Sequence, residues 1–127
     1  MTSYYIDVKI VSVKIVINQT NDQEKQEIII SGIDDFNNFT YIDTYDCLND
    51  VHIQDGLIKI FRKGIEHNTL VNLSTYENSF IEIISAEGSL HFEIKIVEFI
   101  QNQSIISIAY SLQEVVYRLE IRLIQEN

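Results

Sequence analysis

Leu90-His91-Phe92-Glu93-Ile94-Lys95-Ile96 sets an apolar side chain at every even position and a polar or charged one at every odd position. A period of two puts the two sets on opposite faces of an extended strand, one dry and one wet. The same alternation runs through most of the 127 residues, and no proline interrupts it. It fixes the architecture and leaves the chemistry open.

Outward from that stretch the pattern predicts an all-β chain of eight to ten strands. In order they are Tyr5–Ile17, Glu27–Ile33, Phe39–Tyr45, Val51–Gln54, Leu57–Arg62, Asn68–Leu73, Ser79–Ser85, Leu90–Phe99, Ser104–Leu112 and Val115–Ile124. Asp55-Gly56 between the fourth and fifth is a tight hairpin signal. In the last strand Val115, Tyr117, Leu119, Ile121 and Leu123 share one face, and Arg118, Glu120 and Arg122 the other. Parity breaks twice: near Ile10–Val11, where the polar positions pass from Asp7 and Lys9 to Ser12 and Lys14, and near Ile96–Val97, where Glu98 becomes the polar member. Each break is what a β-bulge produces, and bulges let long strands curl around a barrel. Isoleucine-rich strands with open edges invite aggregation, so a closed or nearly closed antiparallel barrel is expected, formed by the whole chain as one domain.

Composition narrows the function classes. Hydrophobic residues make up 46% of the chain, rich in the isoleucine, valine, tyrosine and phenylalanine that suit a pleated surface. A net charge of −10, with lysines scattered singly, argues against nucleic acid, whose phosphates require clustered cations. Neither a membrane-length apolar run nor a signal-peptide pattern is present. Cys47 is the lone cysteine, which excludes an internal disulfide and suits a reducing, cytoplasmic setting. His52, His67 and His91 sit on separate strands without ligand spacing, so no metal and no cofactor is expected. The acids Asp34, Asp35, Asp43 and Asp46 are read as a solvated face, and no serine or cysteine has the setting of a nucleophile; the chain is expected not to be an enzyme.

Arg62 is the exception to its strand. Lys59 and Lys63 mark the odd positions as wet, so Arg62 shares the parity of Ile58 and Ile60 and points inward. A buried guanidinium must be paired or must reach water at a barrel mouth. Two roles answer that demand: an anchor for an anionic head group, or a tie to carbonyls or a carboxylate at the end of the barrel.

Four short segments carry a resemblance to the YwiB-like proteins, small bacterial β-barrels with a calycin (lipocalin-like) fold. They are Tyr41-Ile42-Asp43-Thr44-Tyr45-Asp46; Arg62-Lys63-Gly64, where the family has Arg-x-Gly; Ser85-Ala86-Glu87-Gly88-Ser89-Leu90, where it has Thr-Pro-Tyr-Gly; and Ala109-Tyr110-Ser111-Leu112, like its penultimate Tyr-x-Leu strand. Ala86 stands for the family's proline, Glu87 for its aromatic residue and Ile83 for a tyrosine. The resemblance implies the calycin barrel over roughly residues 5–125 and a framework role for Arg62 and Gly64; it implies no activity. Such a barrel could hold a small apolar or fatty-acid-like ligand, with Arg62, Tyr45 and Tyr110 as candidate ligand-binding residues. The alternative is a solidly packed barrel that serves as an intracellular protein-interaction module.

Overall fold

The computed structural model describes residues 11–19, 25–33 and 35–125. Ten antiparallel strands and no helix occur among them: β1 (Val11–Gln19), β2 (Lys25–Ile33), β3 (Asn38–Ile42), β4 (Leu48–Gln54), β5 (Leu57–Lys63), β6 (His67–Ser74), β7 (Ser79–Ser85), β8 (Gly88–Gln101), β9 (Ile105–Leu112) and β10 (Val115–Gln125). They form one sheet in the order β2-β1-β10-β9-β8-β7-β6-β5-β4-β3. No described helix is long and apolar enough to cross a membrane.

β8 is the joint of the sheet. Its first half, Gly88 to Ile94, pairs with β7, and its second half, Lys95 to Gln101, pairs with β9 on the other side. Between the halves the register slips: Ile96 lies opposite Tyr110 and Glu98 opposite Ala109, so Val97 is an extra residue. The bulge falls where the alternation breaks. Before it Phe92, Ile94 and Ile96 turn toward the core, after it Phe99 and Gln101, while Val97 stands 59% exposed. Glu98, now outside, receives a hydrogen bond from Arg118 Nη2 at 3.2 Å.

The bend brings the two halves of the sheet face to face. Val51, Ile58, Ile60 and Leu73 of one half share a core with Ile106, Ile108, Leu119 and Ile121 of the other. Gln101 also pins the halves at one end: its Nε2 donates to Gln54 O at 2.9 Å, and its Oε1 accepts from Gly56 N at 2.8 Å. Gly56 is the second residue of the expected hairpin, with φ of 74°. Its carbonyl accepts from Thr75 N at 2.9 Å and from Thr75 Oγ1 at 3.1 Å. The β4–β5 turn is thereby tied to the β6–β7 turn and to the end of β8.

Two expectations are corrected, and a third falls largely outside the described residues. The barrel is not closed by backbone pairing among the described residues: β2 and β3 are the two ends of an open, curled half-barrel. The irregularity near β1 lies in β2. Val11 faces Ile33 and Val13 faces Ile30, so two β2 residues, Ser31 and Gly32, answer to one in β1; the expected switch at Ile10 falls outside the described residues. Finally, β3 ends at Ile42 and β4 begins at Leu48, because Asp43 to Cys47 forms a turn.

Val97 supplies spacing and little packing, so its length matters more than its side chain. Deleting it makes Ile96–Tyr110 and Glu98–Ala109 consecutive pairs, so Phe99 and Gln101 still face inward and Glu98 and Ile100 outward, but the bulge and the bend it gives β8 are lost. Urea unfolding is expected to show a loss of about 1–3 kcal/mol for the deletion, which straightens the strand that sets the two halves face to face, against less than about 0.5 kcal/mol for Val97→Thr.

Candidate functional site

Register stacks inward side chains into rows across the sheet. One row, Phe39, Val51, Ile60, Val71, Ile81 and Phe92, is wholly apolar. The next row toward the chain's Arg62 end reads Tyr41, Asn49, Arg62 and Thr69 on β3 to β6 before it returns to apolar Ile83 and Leu90 on β7 and β8. Across β3 to β6 the sheet therefore changes from apolar to polar within one row, and this polar segment forms a mouth. From the facing half Tyr110 and Leu119 approach the same space, and a cavity of about 230 Å³ lies between.

Asp43 organises the mouth. Its Oδ1 accepts from Tyr45 N at 2.9 Å and Cys47 N at 3.1 Å, and its Oδ2 accepts from Arg62 Nε at 2.7 Å and Asn49 Nδ2 at 3.0 Å. The turn that presents it is closed by Asp43 N donating to Cys47 O at 3.0 Å and by Asp46 in the left-handed region at φ of 60°. Burial pushes the Asp43 carboxyl up, but the Arg62, Asn49, Cys47 and Tyr45 donors outweigh it and hold it down from 3.8 to about 2. The same bond raises the Arg62 guanidinium above its ordinary range and keeps it charged, against its own partial burial. Asp43 is thus not part of a solvated face, which corrects the expectation for it: its side chain is only 11% exposed.

The three candidate ligand residues all line this cavity. Arg62 is inward and half-buried, on the parity of Ile58 and Ile60. Its Nε is taken by Asp43, and its Nη1 and Nη2 have no partner among the described residues. The Tyr45 ring sits with its centroid 5.6 Å from the guanidinium carbon, exposed at the rim. Tyr110 stacks on Tyr117 at 5.5 Å in the facing half. Sequence reasoning missed Tyr41 and Asn49 and misread Asp43 as solvated. Neither the Tyr41 nor the Tyr110 hydroxyl has a hydrogen-bond partner among the described residues. Burial pushes both phenols up to about 12, helped by the Asp43 charge beside Tyr41 and by Tyr117 beside Tyr110, so both keep their protons at neutral pH.

Among the described residues Asp43 is the one carboxylate in the cavity wall, and Arg62 holds it. No group of three or more His, Cys, Asp or Glu able to hold a metal occurs among the described residues. His52 rests 3.3 Å from Asp50, and His91 stacks on Phe80 at 5.0 Å, both away from the cavity.

No family model matches the chain, and no curated protein matches it. Among solved structures it is similar to the ywiB protein from Bacillus subtilis, with a TM-score of 0.60 and 16% identity over 93% of this chain and 91% of that one. That likeness is one of fold.

The depressed Asp43 carboxyl links stability to pH. Its folded value lies below its unfolded one, so its contribution is complete above about pH 4 and is lost as pH falls through about 2. Water at the mouth screens part of it, leaving about 1–2 kcal/mol. Asp43→Asn is expected to destabilise at pH 7 by about 2–4 kcal/mol, leaving Arg62 unpaired, and to narrow toward the parent as pH falls to 2. Urea unfolding across that range measures both.

Proposed function

We propose that the protein is a non-enzymatic binding module that takes a small amphipathic guest between the halves of its sheet, in the manner of a calycin barrel. The observation that carries this reading is the cavity, with apolar walls from Ile60, Val71 and Leu119 and a polar rim at one end. The buried Tyr41 and the half-buried Tyr110 place two phenol hydroxyls at the same wall, donors that a guest could use. Size limits the guest. About 150 Å³ suffices for benzene in an apolar cavity, and about 230 Å³ is available here. A benzene-sized body with a few further atoms fits, which disfavours a long-chain fatty acid.

A second reading, a protein-interaction module, is favoured by the edge strand. β3 ends the sheet, and its outer Ile42 is 63% exposed beside Leu48 on β4. Exposed apolar pairs on a sheet edge are places where another chain can add.

The guest reading is tested with toluene as an apolar probe, by saturation-transfer NMR and thermal shift. Toluene is expected to bind the native chain and raise its midpoint, and Val71→Phe, which fills the cavity, is expected to abolish both effects while the fold persists. Equal response of the native chain and Val71→Phe, or none in either, overturns the reading.

A further inference from the structure

We infer that the cavity takes a small monocarboxylate, its head group held end-on by the Nη1 and Nη2 edge of Arg62 and its apolar body, one aromatic ring or a short chain, between the halves of the sheet. This rests on the guest reading above and adds the chemical class.

The head group follows from what the mouth offers. Arg62 has five N–H donors and no acceptor. Asp43 occupies Nε at 2.7 Å, which rules out side-on pairing through Nε and leaves the terminal edge. A planar acceptor with two oxygens matches two parallel N–H donors. The Tyr41 and Tyr110 phenols, protonated and without partners among the described residues, are further donors at the same wall. A cationic head group is disfavoured because Asp43 already accepts four hydrogen bonds and its charge is answered by Arg62.

Asp43 does not repel the anion as strongly as its charge suggests. Two of its bonds come from the Tyr45 and Cys47 backbone amides, which spread the charge toward the turn and away from the cavity. The net charge of −10 on the chain acts at longer range, and physiological salt screens it beyond about 8 Å. The near field is decided by donors, and every partnerless group named here donates.

The body follows from the walls. Ile60, Val71, Leu73 and Leu119 give apolar contact, and the volume of about 230 Å³ stops well short of a long acyl chain. The Tyr45 ring, its centroid 5.6 Å from the guanidinium carbon, flanks Arg62 from the rim.

The test compares phenylacetate with phenylacetamide, which share a body and differ in head-group charge, by isothermal titration calorimetry on the full chain, with palmitate as the size control. Phenylacetate is expected to bind at least about tenfold more tightly than phenylacetamide, since a bond to an ionised group exceeds a neutral one by that order. Palmitate is expected not to compete. Arg62→Gln is expected to remove the tenfold preference while leaving phenylacetamide within about threefold. Arg62→Gln also frees Asp43, so Tyr110→Phe serves as the second variant. It keeps the ring and loses the donor, and is expected to weaken phenylacetate severalfold with an unchanged melting midpoint. Equal affinity for the two head groups, a preference that survives Arg62→Gln, or tight palmitate binding would overturn the class. If toluene binds and Val71→Phe blocks it, the guest reading stands when the class fails; without toluene binding both fall.

Discussion

One unpaired residue in the middle of β8 governs the fold. Gly88 to Ile94 has β7 for a neighbour and Lys95 to Gln101 has β9, and the two ladders meet where Val97 has no opposite number. A bulge raises the local twist and bends its strand. Here it also exchanges the two faces, so that Ile94 and Phe99, on opposite parities, both look into the same core. Without that exchange one half of the sheet would bury its polar face. The core shared by Ile58 and Leu73 with Ile106 and Ile121 exists because β8 bends there.

The same bend delivers Gln101 to the β4–β5 turn, where one side-chain amide bridges a carbonyl and an N–H of the opposite half. Backbone pairing does not join β2 to β3 among the described residues, so side chains do the joining: packed isoleucines and leucines through the middle, and Gln101 at one end. At the other end the halves do not seal, and the cavity opens beneath Arg62. Asp43 decides how that arginine stands. Clamped through Nε, it is held in the wall of the space between the sheets. A flexible, fully hydrated guanidinium would make a poor anchor; one oriented in advance loses less entropy when it binds.

Much of the architecture was legible in the residues. Alternation placed the strands to within a few positions over most of the chain, the parity break at Ile96–Val97 marked the bulge, and Asp55-Gly56 marked the hairpin. Arg62 was legible for the same reason, as the one charge on the parity of Ile58 and Ile60. Asp43 was misjudged although it shares the inward parity of Phe39 and Tyr41, because its partner lies nineteen residues away and local sequence shows only a cluster of acids. Asn49 was missed because Leu48-Asn49-Asp50 has no strand propensity of its own; ladders to β3 and β5 on either side impose it. The turn at Gln113-Glu114, with φ of 50° and 68°, lacks the glycine or asparagine that usually marks such a hairpin.

By itself the sequence determined the strands, their dry faces, the place where β8 changes face and the one arginine that had to be answered from inside. Those are consequences of a period of two, which any short window of residues reveals. The tertiary structure decided that the sheet stays open between β2 and β3, that Asp43 is the answer to Arg62, and that Tyr41 and Tyr110 meet across one cavity from opposite halves. Such facts depend on which distant strands come to lie face to face, and that is set by the summed twist and bend of the whole sheet.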